Sequence, residues 1–265
     1  MQDPSSWLPL LRHAVLASLA FCAVSSGGYL INDVKDVDRD RIHPIKRHRP
    51  IASGALSPRC AAAAAGVLFA VGLGIGTVLR WPFVVVLVAY CGISLVYSAR
   101  LKHIVVLDLF ILASGFVLRA VAGGVAIGVR ISPWLYLCTL LGALFIVMTK
   151  RRYELTMLDT DAGRHRPTLS NYTVELLDQM IVIISSSTVV SYAVYTVTAS
   201  NVPTNGAMLA TVPILLYGIF HYLYLIHRGG IGGSPEEVLL KDRPTQLTVA
   251  LWIASSLVIL ALWRT

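Results

Sequence analysis

Long apolar runs separated by short polar stretches set the pattern of this chain. Read for the roughly 20 residues that a helix needs to cross a bilayer, the runs fall at 11–31, 60–80, 82–99, 104–128, 132–149, 176–199, 207–227 and 244–263. This predicts an all-α polytopic membrane helix bundle of eight transmembrane helices, built as a single domain over 1–265. Two charges, Asp108 and Arg119, fall inside the run 104–128. Lipid cannot solvate them, so each must face protein or water. They are about 16 Å apart along one helix and are therefore not each other's partner. Asp108 sits near Leu101-Lys102-His103 and is within reach of the polar face, whereas packing beside Gly123 and Gly124 explains Arg119 equally well.

Composition narrows the class. With 56% hydrophobic residues, 14% charged and a mean hydropathy of +0.71, the chain is not a water-soluble globular enzyme. The net charge of +8 suits anionic headgroups, phosphorylated substrates or nucleic acid. With the bilayer as solvent, the expected partners are membrane lipids and phosphorylated substrates, with no nucleic acid. Cys22, Cys60, Cys91 and Cys138 have no CxxC spacing and read as packing residues. The opening MQDPSSWLPLLRH has no basic leader before a short apolar core, so insertion is expected to rely on the spans themselves.

Charge orders the loops. The connections after the first, third, fifth and seventh spans hold 17 of the 22 Lys and Arg residues, against Arg12, Arg80, Arg130 and Arg264 on the other side. The positive-inside rule places the rich loops in the cytoplasm and both termini outside, in the plasma (inner) membrane. Nearly every acidic residue lies in or beside the same four loops. A transporter would more often spread polar groups along a path through the bilayer. Here they concentrate on one face, where an active site facing the cytoplasm is expected.

The densest constellation is Asn32-Asp33-Val-Lys-Asp36-Val-Asp38-Arg-Asp40, at the cytoplasmic end of the first span. If the helix continues through it, Asn32, Asp36 and Asp40 share one face, with Asp33 beside them. Stacked carboxylates repel one another unless a multivalent cation lies among them. Hard oxygen donors without His or Cys suit Mg2+ held partly by substrate phosphates. The bland alternative is a solvated acidic cap balanced by Lys35, Arg39 and Arg41. The basic loop that follows, Arg41 to Gly54, offers Lys46 and Arg47 as phosphate clamps or as contacts for anionic lipid.

A second polar segment, Lys150-Arg151-Arg152-Tyr153-Glu154, is followed by Asp159, Asp161, Arg164, Arg166 and Tyr172. It is more basic than acidic, which favours a cationic site for another phosphate over a second metal cluster. A Lys150–Glu154 salt bridge at a solvated helix end is the plainer reading. The last cytoplasmic loop runs from Gly229-Gly230 through Gly232-Gly233 to Lys241-Asp242-Arg243, and serves equally as a substrate lid or a connector. No strand precedes these glycines, so they are not a dinucleotide fingerprint.

At NDVKDVDRD the chain resembles the UbiA superfamily of intramembrane prenyltransferases, and the likeness extends over essentially all of it. Within the superfamily it is most similar to the branch that transfers 5-phosphoribose to decaprenyl phosphate. The residues that carry this are NDVKDVDRDRIHPIKRHRPIASG at 32–54, LKH at 101–103, LRAVAGGVA at 118–126, Lys150-Arg151 with Glu154, Arg166 with Leu169 and Tyr172, and SPEEVLLKDR at 234–243. The resemblance implies a bundle with a lateral opening to lipid, Mg2+ as cofactor, and 5-phosphoribosyl diphosphate and a polyprenyl phosphate as substrates. It implies catalytic roles for Asp33, Asp36 and Asp40, and metal ligation by Asn32, Asp36 and Asp40. Substrate contacts are implied for Lys46, Arg47, Lys102, Lys150, Arg151, Glu154, Arg166, Tyr172, Asp242 and Arg243.

Most of the superfamily has an aspartate-rich second motif, because an allylic diphosphate donor recruits metal from both sides. The corresponding segment here is rich in Lys and Arg, as a phosphorylated lipid acceptor would require. Two departures stand out: eight spans where the family has nine, and Arg152, which shifts the tyrosine of a Lys-Arg-Tyr pattern to position 153. The alternatives are a conventional transfer of an isoprenoid from its diphosphate to an aromatic acceptor, and a noncatalytic transporter or scaffold. A homo-oligomer is compatible with the sequence.

Overall fold

Each apolar run is a helix in the computed structural model, which describes residues 7–42, 46–129, 131–158, 169–200, 202–228 and 235–263. In chain order the helices are α1 (Trp7–Lys35), α2 (Val37–Ile42), α3 (Pro58–Leu79), α4 (Trp81–Ala99), α5 (Leu107–Ile127), α6 (Pro133–Leu158), α7 (Val174–Thr198), α8 (Val212–Arg228), α9 (Pro235–Lys241) and α10 (Arg243–Leu262). Among the described residues there is no strand, and 8 helical segments are long and apolar enough to cross a membrane. The seventh expected span is composite: a 3-10 turn at Ala207–Thr211 leads directly into α8. The fifth overruns its expected end, because α6 carries on through Lys150–Glu154 to Leu158.

Local chemistry sets several of these boundaries. Ser57 accepts the backbone N–H of Cys60 and Pro58 opens α3, satisfying one orphan donor and presetting φ. Thr173 does the same for Leu176 at the start of α7. Gly128 ends α5 at φ +72, a left-handed conformation that costs glycine little.

The described residues form two compact units, one up to Ile131 and the other from Ser132 onward. In the first, α1 packs against α3, α4 and α5. Leu8, Leu11, Val15 and Leu19 are exposed where lipid would lie, while Ala17, Ala20 and Val24 are buried against the neighbouring helices. Small residues let backbones approach closely where lipid offers no hydrophobic drive for association.

The contact with α3 is the tightest example. A Cβ on Gly72 would lie 2.6 Å from Val24 Cγ2 and 2.8 Å from the Ala20 carbonyl oxygen. Because one of these is backbone, the helices must separate to admit even a methyl. Gly72→Ala is expected to destabilise the protein by about 1–2 kcal/mol, read as a lower unfolding temperature in detergent. An unchanged temperature would show that α1 and α3 yield without cost.

In the second unit α6 packs on α7, and α8 on α10. A polar brace holds its apolar core: the Tyr192 hydroxyl lies 2.7 Å from Thr211 Oγ1 and accepts from Trp252 Nε1 at 2.8 Å. Buried hydroxyls in hydrocarbon need such partners, and these join α7, the 3-10 turn and α10.

Candidate functional site

The polar chemistry of the first unit centres on the joint between α1 and α2. The Asp36 amide donates to the Asn32 carbonyl and the Asp40 amide to the Asp36 carbonyl, both at 2.9 Å. Helical bonding therefore continues across the joint, and Asn32, Asp36 and Asp40 share the expected face. Each is held by a different partner. Ser98 on α4 donates to Asn32 Oδ1 at 3.2 Å, and Lys102, in the turn after α4, reaches Asp36 Oδ1 at 2.5 Å.

Arg49, from the basic loop, donates to Asp33 Oδ1 at 2.7 Å and Asp40 Oδ2 at 2.9 Å. Asp40 is buried, whereas Asp38 is turned outward, its side chain 89% exposed beside Arg41. The acidic run is thus two-faced, with only one face turned into the protein. Of the expected phosphate clamps, Lys46 is half-buried in the short 3-10 turn Lys46–His48, and Arg47 is exposed with its Nε 3.3 Å from His48 Nε2. His43, Pro44 and Ile45 lie outside the described residues.

A cavity of about 170 Å³, with polar groups set among apolar walls, continues from Asn32 into the apolar part of this unit. Ser25, Tyr90, Ser94, Ser98 and Arg119 line it. Arg119 is therefore not a packing residue beside Gly123 and Gly124. Its Nη2 donates to the Tyr90 hydroxyl at 2.9 Å, and its guanidinium lies over the rings of Tyr90 and Phe116. Asp108, fully buried in the first turn of α5, follows the Lys102 turn directly in the chain.

In the second unit the basic segment sits inside a helix rather than at its end. Arg151 is only 2% exposed and donates to Glu154 Oε2 at 2.8 Å, so the ion pair within the segment involves Arg151, while Lys150 is exposed. Arg152 is structural. It donates to Asp178 on α7 at 2.5 Å and to the Ile226 carbonyl on α8 at 3.2 Å, tying three helices together. His227 Nε2 lies 3.5 Å from Asp178 Oδ1 on the same side. Tyr172 is buried beside the start of α7. Asp159, Asp161, Arg164, Arg166 and residues 229–234 lie outside the described residues.

Asp242 caps α10. Its carboxylate accepts the Thr245 amide at 2.8 Å and lies 2.8 Å from His221 Nε2. Desolvation pushes this carboxyl up, but the bonds from Thr245 and His221 outweigh it and hold it below the usual value of 3.8. A depressed carboxyl stabilises the fold above its unfolded value and loses that contribution as pH falls through its folded value. Asp242→Asn keeps a capping oxygen and loses only the charge at the helix N-terminus, so it is expected to cost about 0.5 kcal/mol at neutral pH. Its deficit against wild type should shrink below pH 3.8 in thermal unfolding, and a deficit of constant size would refute the charge effect. Arg243 opens the same helix and is exposed.

The donors fit Mg2+ in part. Asn32, Asp36 and Asp40 supply hard oxygens in register, but no three His, Cys, Asp or Glu side chains among the described residues converge as a metal cage. A small cation that keeps water and substrate phosphates in its shell needs no full cage. Arg49 and Lys102 meanwhile supply the positive charge. Sequence reading gave no particular role to Arg49 or Ser98, whose partners are set by how the loop and α4 fold back onto α1.

Comparison with known proteins gives a consistent picture. The model of the UbiA prenyltransferase family matches residues 3–231. A decaprenyl-phosphate phosphoribosyltransferase of Mycolicibacterium smegmatis is 36% identical over 247 residues, which cover 91% of this chain and 78% of that protein. One from Corynebacterium glutamicum is 33% identical, over 90% of this chain and 73% of its own length. The solved structure of a UbiA homolog from Archaeoglobus fulgidus bound to GPP and Mg2+ superposes with a TM-score of 0.72 at 23% identity, covering 95% of this chain and 88% of that one.

Proposed function

The chain belongs to the UbiA prenyltransferase family and is an integral membrane transferase, and from that premise we propose that it moves 5-phosphoribose from 5-phosphoribosyl diphosphate onto a polyprenyl phosphate. The likeness to decaprenyl-phosphate phosphoribosyltransferases over nine-tenths of the chain carries this reading. The basic second segment supports it: a buried arginine and an exposed lysine suit a phosphorylated lipid better than a second metal-bound diphosphate would. The family match runs through both compact units, which supports treating 1–265 as one functional domain. Charge asymmetry supports a reaction at the cytoplasmic face of the plasma membrane.

In this reaction an oxygen of the lipid phosphate attacks the anomeric carbon of ribose. The bond from that carbon to the diphosphate oxygen breaks, and configuration inverts. The nucleophile is already anionic, so no side chain needs to remove a proton. The difficulty is electrostatic, because two anions must meet. Asn32, Asp36 and Asp40 would hold Mg2+, which supplies charge neutralisation to the leaving diphosphate.

Lys102 and Arg49 position the carboxylates and keep their charge balanced, while Lys46 and Arg47 take phosphate oxygens. Lys150, Arg151 and Arg166 attract the lipid phosphate, with Glu154 fixing Arg151 and Tyr172 and Arg243 completing that side. Most of the rate then comes from positioning and fixed charge.

The test uses the purified protein in detergent with Mg2+ and polyprenyl phosphate, following label from 5-phosphoribosyl diphosphate into lipid. A parallel arm supplies an allylic diphosphate and an aromatic acid. Labelled lipid in the first arm alone is the expected result. Prenylated aromatic product, or silence in both arms, would overturn the phosphoribosyl assignment.

A further inference from the structure

Arg119 lies about 18 Å along α5 from its Leu107 end, deep in a membrane span. A cation there is costly unless something compensates it. Among the described residues its contacts are a phenol and two aromatic faces, with no carboxylate. The Tyr90 hydroxyl accepts from Arg119 and also from Ser25 Oγ at 3.1 Å, so its own proton is left to donate. One fork of N–H groups and one O–H thus lie together at the deep end of the cavity, where an anionic oxygen would satisfy both.

The cavity runs from this end to Asn32, and its walls between carry Ser94 and Ser98. Ser25 and Asn32 are separated by about 10 Å along α1. That is the scale of a pentose bearing phosphate at both ends. The cavity volume of about 170 Å³ suits a short group rather than a long lipid chain, and Ile111, Leu112 and Phe116 share its walls with the hydroxyls.

We propose that this cavity seats the 5-phosphoribosyl end of the donor, with Arg119 and the Tyr90 hydroxyl binding its phosphate monoester, Ser94 and Ser98 facing the sugar, and the diphosphate at the Asn32 end. The inference rests on the phosphoribosyl reading above and adds the group that selects for a phosphorylated sugar. A phosphate monoester is also the head of the lipid acceptor, so the test separates the two sources.

Calorimetry on the full chain in detergent would use three probes: ribose 5-phosphate, pyrophosphate with Mg2+, and a short polyprenyl phosphate. A charge-assisted phosphate contact is worth enough that Arg119→Gln should weaken ribose 5-phosphate by about tenfold or more, and leave the other two within about twofold. Unchanged ribose 5-phosphate binding would overturn the proposal, as would loss of polyprenyl phosphate alone.

Should Arg119→Gln lose all three probes through misfolding, Gly28→Val decides. A Cβ there sits 3.7 Å from Ser94 Cβ in ordinary contact, so the backbone admits a side chain, and a larger one takes up cavity space beside Ser94. It should abolish ribose 5-phosphate binding and retain pyrophosphate; retained ribose 5-phosphate would overturn the proposal. Failure of the underlying reading is distinguishable. In that case wild type makes no labelled lipid and binds no ribose 5-phosphate, whereas labelled lipid with unaltered Arg119→Gln binding refutes this inference alone.

Discussion

Asp36→Asn is expected to lower phosphoribosyl transfer by about a thousandfold, the loss typical when a fixed charge that stabilises the transition state is removed. The position is central for geometric reasons. Asp36 joins α1 to α2, lies between Asn32 and Asp40 on the inward face, and receives Lys102 at 2.5 Å. Asparagine keeps the shape and one oxygen but removes the charge that would hold a divalent cation. The backbone bonds on either side are independent of the side chain, so the helical joint should persist. Asp38→Asn is the matched control. Its carboxylate is 89% exposed and, among the described residues, pairs with Arg41 across 3.4 Å, so its rate should stay within about twofold, as exposed pairs contribute little. Equal losses in the two variants, or a near-normal rate for Asp36→Asn, would remove the aspartate face from the mechanism.

How much of this was legible in the sequence follows from which forces are local. The bilayer demands long apolar runs, so all eight spans were readable. The largest discrepancy is α6, which continues past its apolar run to Leu158 because Lys, Arg, Glu and Leu are good helix formers and hydropathy alone ends the window too early. The shared face of Asn32, Asp36 and Asp40 was readable from helical period alone. Arg49 was not, since nothing local distinguishes it from Arg47; the loop's return onto α1 selects it. Arg119 was visible as a charge in a span, but its partner Tyr90 lies on another helix. Arg152 likewise looked like part of a phosphate site until Asp178, on α7, was found beside it.

Arg49→Ala is expected to make the stability of the protein depend on divalent metal. The guanidinium bridges Asp33 and Asp40, and Asp40 has only 7% of its side chain exposed. Removing one partner of a fully buried pair costs about 3–5 kcal/mol. Arg49 itself is 38% exposed, so water reaches the site and about 2 kcal/mol is the better expectation. Without the guanidinium, Asp33 and Asp40 repel each other and pull against the basic loop. A divalent cation on the same face would restore the missing charge. Any ligand that binds only the folded state adds stability in proportion to the logarithm of its concentration over its dissociation constant. In a chelator Arg49→Ala should unfold at a lower temperature than wild type. Millimolar Mg2+ should then raise its unfolding temperature by more than it raises that of wild type, because the cation no longer competes with the guanidinium for Asp40. Arg49→Lys, which keeps the charge but loses the fork, should fall between. Equal Mg2+ increments in all three proteins would mean that the metal and Arg49 do not share these carboxylates. The aspartate face would then be a structural ion-pair cluster, and the metal would have to be placed elsewhere.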